Sequence, residues 1–261
     1  MCVALTIAGS EPSGGAGLQA DLKTFTRFGV YGMNVVTLLT VGNTRGITRV
    51  AMMDVDLVRQ QLESVLADIP VDAAKTGALG SLAMIDLVAE FAPNFSFPLV
   101  VDPVMVSKQG NPLIDADAVE ILKRRLLPHA FVTTPNIPEA EALSGIEIGG
   151  VEALEEAARA IAALGPRHVI VKGGRLADRA VDVLWSDGEV LRFDGPHLDN
   201  PNTHGTGCVF SSALTSLLAR GVDLSEAVGQ AKRFVAEAIR TSPGLGRGCG
   251  PVNFDVPIAE A

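Results

Sequence analysis

The sequence predicts an α/β fold, with a mostly parallel sheet covered by helices on both faces and an antiparallel hairpin at one edge. Three observations predict it. Short β-branched or apolar runs alternate with longer segments of helical periodicity through most of the chain. Past residue 180 this alternation stops, and two strand-like runs are separated only by Asp187-Gly188-Glu189, a hairpin signal. The 261 residues, 48% hydrophobic and 20% charged, suffice to bury one large core, so a single domain over 1–261 is expected.

In chain order, residues 3–8 read as a buried strand, followed by a loop from Gly9 to Gly17 that holds four glycines. Leu18, Leu22 and Phe25 then recur at helical spacing, and Gly29 supplies a stop. A strand is expected at 33–41. Asp54 or Asp56 can cap a helix running to 67, with Val58, Leu62, Val65 and Leu66 on one face. Strands at 71–75 and 99–102 flank a helix at 82–91. A helix at 115–127, a short strand at 131–133, a helix at 151–164 closed by Gly165-Pro166 and a strand at 169–172 follow. The hairpin comprises 181–186 and 190–193, and helices at 205–220 and 224–241 end the pattern.

Composition excludes several functions. With 21 Lys+Arg against 30 Asp+Glu the net charge is −9, and no basic stripe exists to neutralise a nucleic acid or an anionic membrane. Cys2, Cys208 and Cys249 are too few and scattered for a disulfide framework, and no CxxC or paired His supports a zinc site. The first apolar run lacks a basic n-region and breaks at Gly9, and no apolar stretch matches a membrane span, so a cytoplasmic location is expected.

Open parallel sheets bind ligands beyond the carboxyl ends of their strands, so the loops there carry the search for function. The loop 9–17 fails as a Walker A motif because no Lys-Ser/Thr follows Gly14. Gly15, Gly17 and Ala20 fit GxGxxA, but no acidic residue lies between Asp21 and Asp54 to hold a ribose; a flexible turn is the alternative. Asp102, closing an apolar strand and followed by Pro103, suits Mg²⁺ or its waters. Glu139, in the segment after Asn136, is either a second metal-directed carboxylate or a first-turn helix residue matched to the helix dipole. Lys172, before Gly173-Gly174, suits a phosphate, or is an exposed lysine at a tight turn. In Asn202-Thr203-His204-Gly205-Thr206-Gly207-Cys208, glycines open an apolar helix and expose free N–H groups that can hold a phosphoryl group. Cys208 in that first turn is expected to have a lowered pKa and to act as a base. A nucleophilic role would need His204 as partner, and a packed thiol is the plain alternative.

These segments, taken together, resemble the ribokinase-like superfamily and, within it, the hydroxymethylpyrimidine/phosphomethylpyrimidine kinases of thiamine biosynthesis. The resemblance rests on ALTIAGSEPSGGAGLQADLKTF at 4–25, KTGALG at 75–80, VVDPVMVSKQGNPLI at 100–114, TPNIPEAEAL at 134–143, VKGG at 171–174 and NTHGTGC at 202–208. It implies a three-layer α/β/α sandwich, ATP as co-substrate, Mg²⁺, and phosphorylation of a hydroxymethyl group on a small heteroaromatic ring, with a second turnover from monophosphate to diphosphate. It further implies that Gly205, Thr206 and Gly207 form an anion hole beside the base Cys208. Lys172, Asn136 and Thr203 would meet ATP phosphates, Asp102 and Glu139 would organise Mg²⁺ through water, and Gly9, Ala16 and Val104 would line the ring pocket. A homodimer fits the same resemblance.

Two departures bear on specificity. Family members usually read AQNT where this chain has Val41-Gly42-Asn43-Thr44, which removes a glutamine able to bond an aminopyrimidine, and Glu11 replaces an Asp. A pyridoxal kinase and a non-catalytic ligand-sensing protein on the same fold are the competing readings.

Overall fold

The structure, a computed structural model, describes residues 1–106, 114, 116–174, 176 and 179–258. The strands are β1 (Val3–Ser10), β2 (Tyr31–Asn43), β3 (Gly46–Met52), β4 (Ala73–Thr76), β5 (Leu99–Val101), β6 (Val132–Thr133), β7 (His168–Lys172), β8 (Arg179–Ser186) and β9 (Glu189–Pro196). They form one sheet in the order β3-β2-β1-β4-β5-β6-β7-β8-β9. From β2 to β7 every pairing is parallel, whereas β3 and the β8–β9 pair run antiparallel to their neighbours.

The helices are α1 (Gly17–Arg27), α2 (Val55–Asp68), α3 (Leu82–Phe91), α4 (Ala116–Ile121), α5 (Ile137–Ser144), α6 (Val151–Ala162), α7 (Thr206–Ala219) and α8 (Leu224–Arg240). Period-2 alternation along the strands divides the core between two faces. Leu5, Ile7, Leu99, Val101, Val169 and Val171 pack with side chains of α2, α3 and α6 such as Leu62, Met84 and Ile161. Ala4, Val100, Val132 and Ile170 pack with Phe25 of α1, Leu214 of α7 and Val228 of α8. Each fully buried Leu or Phe contributes roughly 1.5–3 kcal/mol, so both helical layers are held by burial.

The expected hairpin forms, with Asp187 and Gly188 at φ 52° and 89° making the left-handed turn that joins β8 to β9. A second antiparallel edge, the β2–β3 hairpin, corrects the expectation of one. Its β3, GITRVAM, is mostly exposed and carries Thr48 and Arg49 where a core strand would alternate apolar residues. The helix expected at 115–127 is shorter, because α4 gives way to a wider π turn over Leu122–Leu126 and a 3₁₀ turn over Leu127–His129. Its expected first residue, Asp115, lies outside the described residues, as do 107–113 of the segment 100–114.

Candidate active site

The loops beyond β1, β5, β6 and β7 converge on the N-terminus of α7 around a cavity of about 1590 Å³. All twelve residues singled out in the sequence line it: Gly9, Ala16, Asp102, Val104, Asn136, Glu139, Lys172, Thr203, Gly205, Thr206, Gly207 and Cys208. A drug-sized ligand fills roughly 300–1,000 Å³, so this cavity has room for two bound molecules side by side.

The α7 terminus is shaped by Gly205, its N-cap at φ 81°, where a Cβ would collide with the Gly15 carbonyl. Among the described residues, the Gly207 and Cys208 N–H groups make no hydrogen bond, which leaves two donors and the positive end of the helix dipole facing the cavity. A Cβ on Gly207 would lie 3.4 Å from Lys172 Nζ and 4.0 Å from Asp102 Oδ2, so these three residues adjoin.

Asp102 is buried just past β5. Its Oδ1 accepts from Lys172 Nζ and from Thr134 Oγ1, each at 3.3 Å, and its Oδ2 accepts from Ser211 Oγ at 3.1 Å. Burial opposes the Lys172 charge, but Asp102 and Glu139 outweigh it and raise the lysine's pKa. Glu139 joins a capping box at the start of α5: Asn136 N–H donates to Glu139 Oε2 at 2.9 Å, and Glu139 N–H donates to Asn136 Oδ1 at 3.0 Å. Glu139 is thus the first-turn helix residue of the plain alternative and a cavity carboxylate as well. Burial pushes its pKa up to about 7, with Lys172 pulling down and Asp102 pushing further up. Two hard-oxygen carboxylates at one wall, one reluctant to ionise, fit Mg²⁺, which binds through one or two carboxylates plus phosphates and water.

Cys208 corrects an expectation. Its pKa is raised to about 11, not lowered, because burial and the Asp21 and Asp102 charges outweigh Lys75 and the Gly17 N–H. Nor is His204 a partner for the thiol. Its Nε2 lies 3.6 Å from Glu11 Oε2, and its Cδ2 would stand 2.7 Å from a Cβ on Gly15. Glu11 ties the 11–16 loop together, accepting from Ser13 Oγ at 2.7 Å and from the N–H groups of Ser13, Gly15 and Ala16. Burial would raise the Glu11 pKa, but His204 and these donors bring it down to about 2.

Gly42 does not line the cavity, although Thr40 and Ile47 do. It sits where the β2–β3 register shifts, and a Cβ there would stand 2.7 Å from Gly46 O and 3.0 Å from Ile47 Cα. Sequence reasoning missed the residues that anchor the site from beneath, Asp21, Lys75, Ser211 and Ser212, all buried. Asp21 and Lys75 lie inside recognised motifs, but nothing in their spacing marks them as a pair.

A model of the phosphomethylpyrimidine kinase family matches residues 11–253. The chain belongs to that family. It is 44% identical over 256 residues to the hydroxymethylpyrimidine/phosphomethylpyrimidine kinase of Streptomyces coelicolor, covering 98% of this chain and 95% of that one. It is 49% identical over 251 residues to the thiamine biosynthesis bifunctional protein ThiED of Geobacter sulfurreducens. That match covers 95% of this chain but about half, 51%, of the bifunctional protein. Among solved structures, an ADP complex of Bacillus subtilis pyridoxal kinase superposes with a TM-score of 0.91 at 41% identity, covering 97% of each chain. The fold is ribokinase-like, as the sequence motifs implied.

Proposed function

We propose that this phosphomethylpyrimidine kinase family member transfers the γ-phosphoryl group of ATP to 4-amino-5-hydroxymethyl-2-methylpyrimidine, and then to its monophosphate, in thiamine biosynthesis. The observation that carries the reading is the convergence of Lys172, Asp102, Glu139 and the open α7 N-terminus on one cavity sized for nucleotide and acceptor together. The acceptor oxygen bonds to the γ-phosphorus as the bond to the β–γ bridging oxygen breaks, and ADP leaves. Negative charge spreads over the transferring group, where the Gly207 and Cys208 N–H groups and the helix dipole stabilise it. Lys172 places a point charge on the phosphates, with Asn136 and Thr203 beside it. Gly9, Ala16 and Val104 line the ring's position.

Cys208 takes the hydroxyl proton; its thiolate is scarce at neutral pH but strongly basic, and in a loose transition state that proton leaves late. Asp102 and Glu139 would hold Mg²⁺ directly or through water; the ion would supply positive charge to the phosphate oxygens and offset the carboxylate repulsion that, together with burial, keeps the thiol protonated. The chain acts in the cytoplasm as a homodimer. The exposed Leu39, Val41, Val50 and Met52 of the β2–β3 hairpin support that assembly, which sedimentation velocity tests.

The deciding experiment is a coupled ATP-consumption assay with Mg²⁺ on hydroxymethylpyrimidine, its monophosphate and pyridoxal. Higher kcat/KM for the pyrimidines supports the proposal. Preference for pyridoxal, the substrate of the Bacillus subtilis structural relative, moves the activity to that vitamer, and no turnover of any of them overturns the kinase reading.

A further inference from the structure

Beneath Cys208 lies a buried ion pair. Lys75 Nζ on β4 donates to Asp21 Oδ1 on α1 at 2.7 Å, and both side chains are fully buried. Ser212 Oγ on α7 donates to the same oxygen at 2.6 Å, and Thr6 Oγ1 on β1 donates to Asp21 Oδ2 at 2.6 Å. Four elements, β1, β4, α1 and α7, therefore meet at one carboxylate.

Spacing gives this cluster a direction. Ser212 stands four residues after Cys208, and Asp21 four residues after Gly17, so each pair shares one helix face. Asp21 of α1 accepts from Ser212 of α7 one turn beyond Cys208. The two helices are thus joined at the ion pair, one turn below the thiol. A buried ion pair adds little net stability over apolar side chains of the same volume, so stability alone gives no reason for a fully buried lysine here.

We infer that Lys75, Asp21 and Ser212 are positioning residues for the phosphoryl-transfer site, fixing the face of α7 that carries Cys208 relative to the loop 9–16. The inference rests on the kinase reading above. It deepens that reading by placing the control of site geometry in residues that touch neither substrate.

The test uses Lys75→Met, Ser212→Ala and the charge-neutral pair Asp21→Asn with Lys75→Met, each assayed on whichever acceptor the wild type phosphorylates, with Tm measured in parallel. Lys75→Met alone strands a buried carboxylate and lowers Tm, whereas the charge-neutral pair regains Tm. A misplacement of about 1 Å at a reacting centre costs on the order of 100-fold in rate, so kcat of the charge-neutral pair stays about 100-fold down. KM for ATP and acceptor stays within about threefold, because the groups that bind them are unchanged. Ser212→Ala, which keeps the ion pair, lowers kcat about tenfold on the same grounds. Recovery of both Tm and kcat in the charge-neutral pair overturns the inference and leaves a structural ion pair. A wild type inert toward both pyrimidines and pyridoxal overturns the kinase reading, and this inference with it, before any variant is compared.

Discussion

Ser211 Oγ donates to Asp102 Oδ2 at 3.1 Å, tying the second turn of α7 to the carboxylate whose other oxygen accepts from Lys172 at 3.3 Å. The helix that presents the free N–H groups, the Asp102 carboxylate and Lys172 are thereby one hydrogen-bonded unit. Displacing any of them displaces the others.

Lys172→Ala is expected to raise KM for ATP and to lower kcat/KM by at least about 100-fold, since it removes a cation from the transferring charge. It also leaves Asp102 without its ion partner. The lysine side chain is 14% exposed and the aspartate 3%, so the loss of stability approaches the roughly 3–5 kcal/mol of a broken buried pair. Steady-state kinetics with ATP varied, together with urea unfolding, checks both parts. Unchanged ATP kinetics would remove Lys172 from the phosphate site.

Glu11→Gln tests the knot that holds the 11–16 loop. The Glu11 pKa falls from 4.5 to about 2 on folding, with its side chain 9% exposed. A depressed carboxylate contributes stability that is fully present above the unfolded value and is lost as pH falls through the folded value. Wild type should therefore exceed Glu11→Gln by about 3 kcal/mol above pH 4.5, with the gap closing toward pH 2. Denaturant titrations of both proteins across that range check it, and a gap independent of pH contradicts the assignment.

The parallel sheet and the site loops were legible because their signals are local. Apolar runs such as residues 99–101 alternate with helical periodicity, and the glycines before Cys208 mark a bare helix start. The hidden parts depend on tertiary context. The exposed β3 offers no alternation and is held by its pairing with Leu38–Asn43 of β2. The Cys208 pKa inverted for the same reason: a first-turn position argues for a lowered value, whereas tertiary packing buries the thiol and brings Asp21 and Asp102 from elements 187 and 106 residues away in the chain.

Gly42, which lies beside the cavity and not in its lining, illustrates the same limit. The sequence shows a missing glutamine, but the structure shows that no side chain fits there, because a Cβ would lie 2.7 Å from Gly46 O. Gly42→Gln is therefore expected to destabilise the chain by about 1–3 kcal/mol and not to improve kcat/KM for the pyrimidine. Improved pyrimidine turnover with unchanged Tm would show that the β2–β3 hairpin yields and that the contact can be rebuilt.

Cys208 itself supplies the last prediction. With a pKa of about 11 the free protein's thiol is protonated at neutral pH, so alkylation by iodoacetamide at pH 7 is slow. Its rate should rise about tenfold per pH unit between pH 7 and 10, since only the thiolate reacts and its fraction grows in that proportion. Peptide mapping by mass spectrometry separates Cys208 from the other free thiols, Cys2 and Cys249. A plateau already reached by pH 8 would mean a thiolate stabilised by the α7 terminus and Lys75 against burial. Cys208→Ala should lower kcat far more than it raises KM, because a proton acceptor acts mainly in the transition state. Rapid turnover by that variant would leave proton removal to the phosphate oxygens and reduce Cys208 to a packing residue at the helix start.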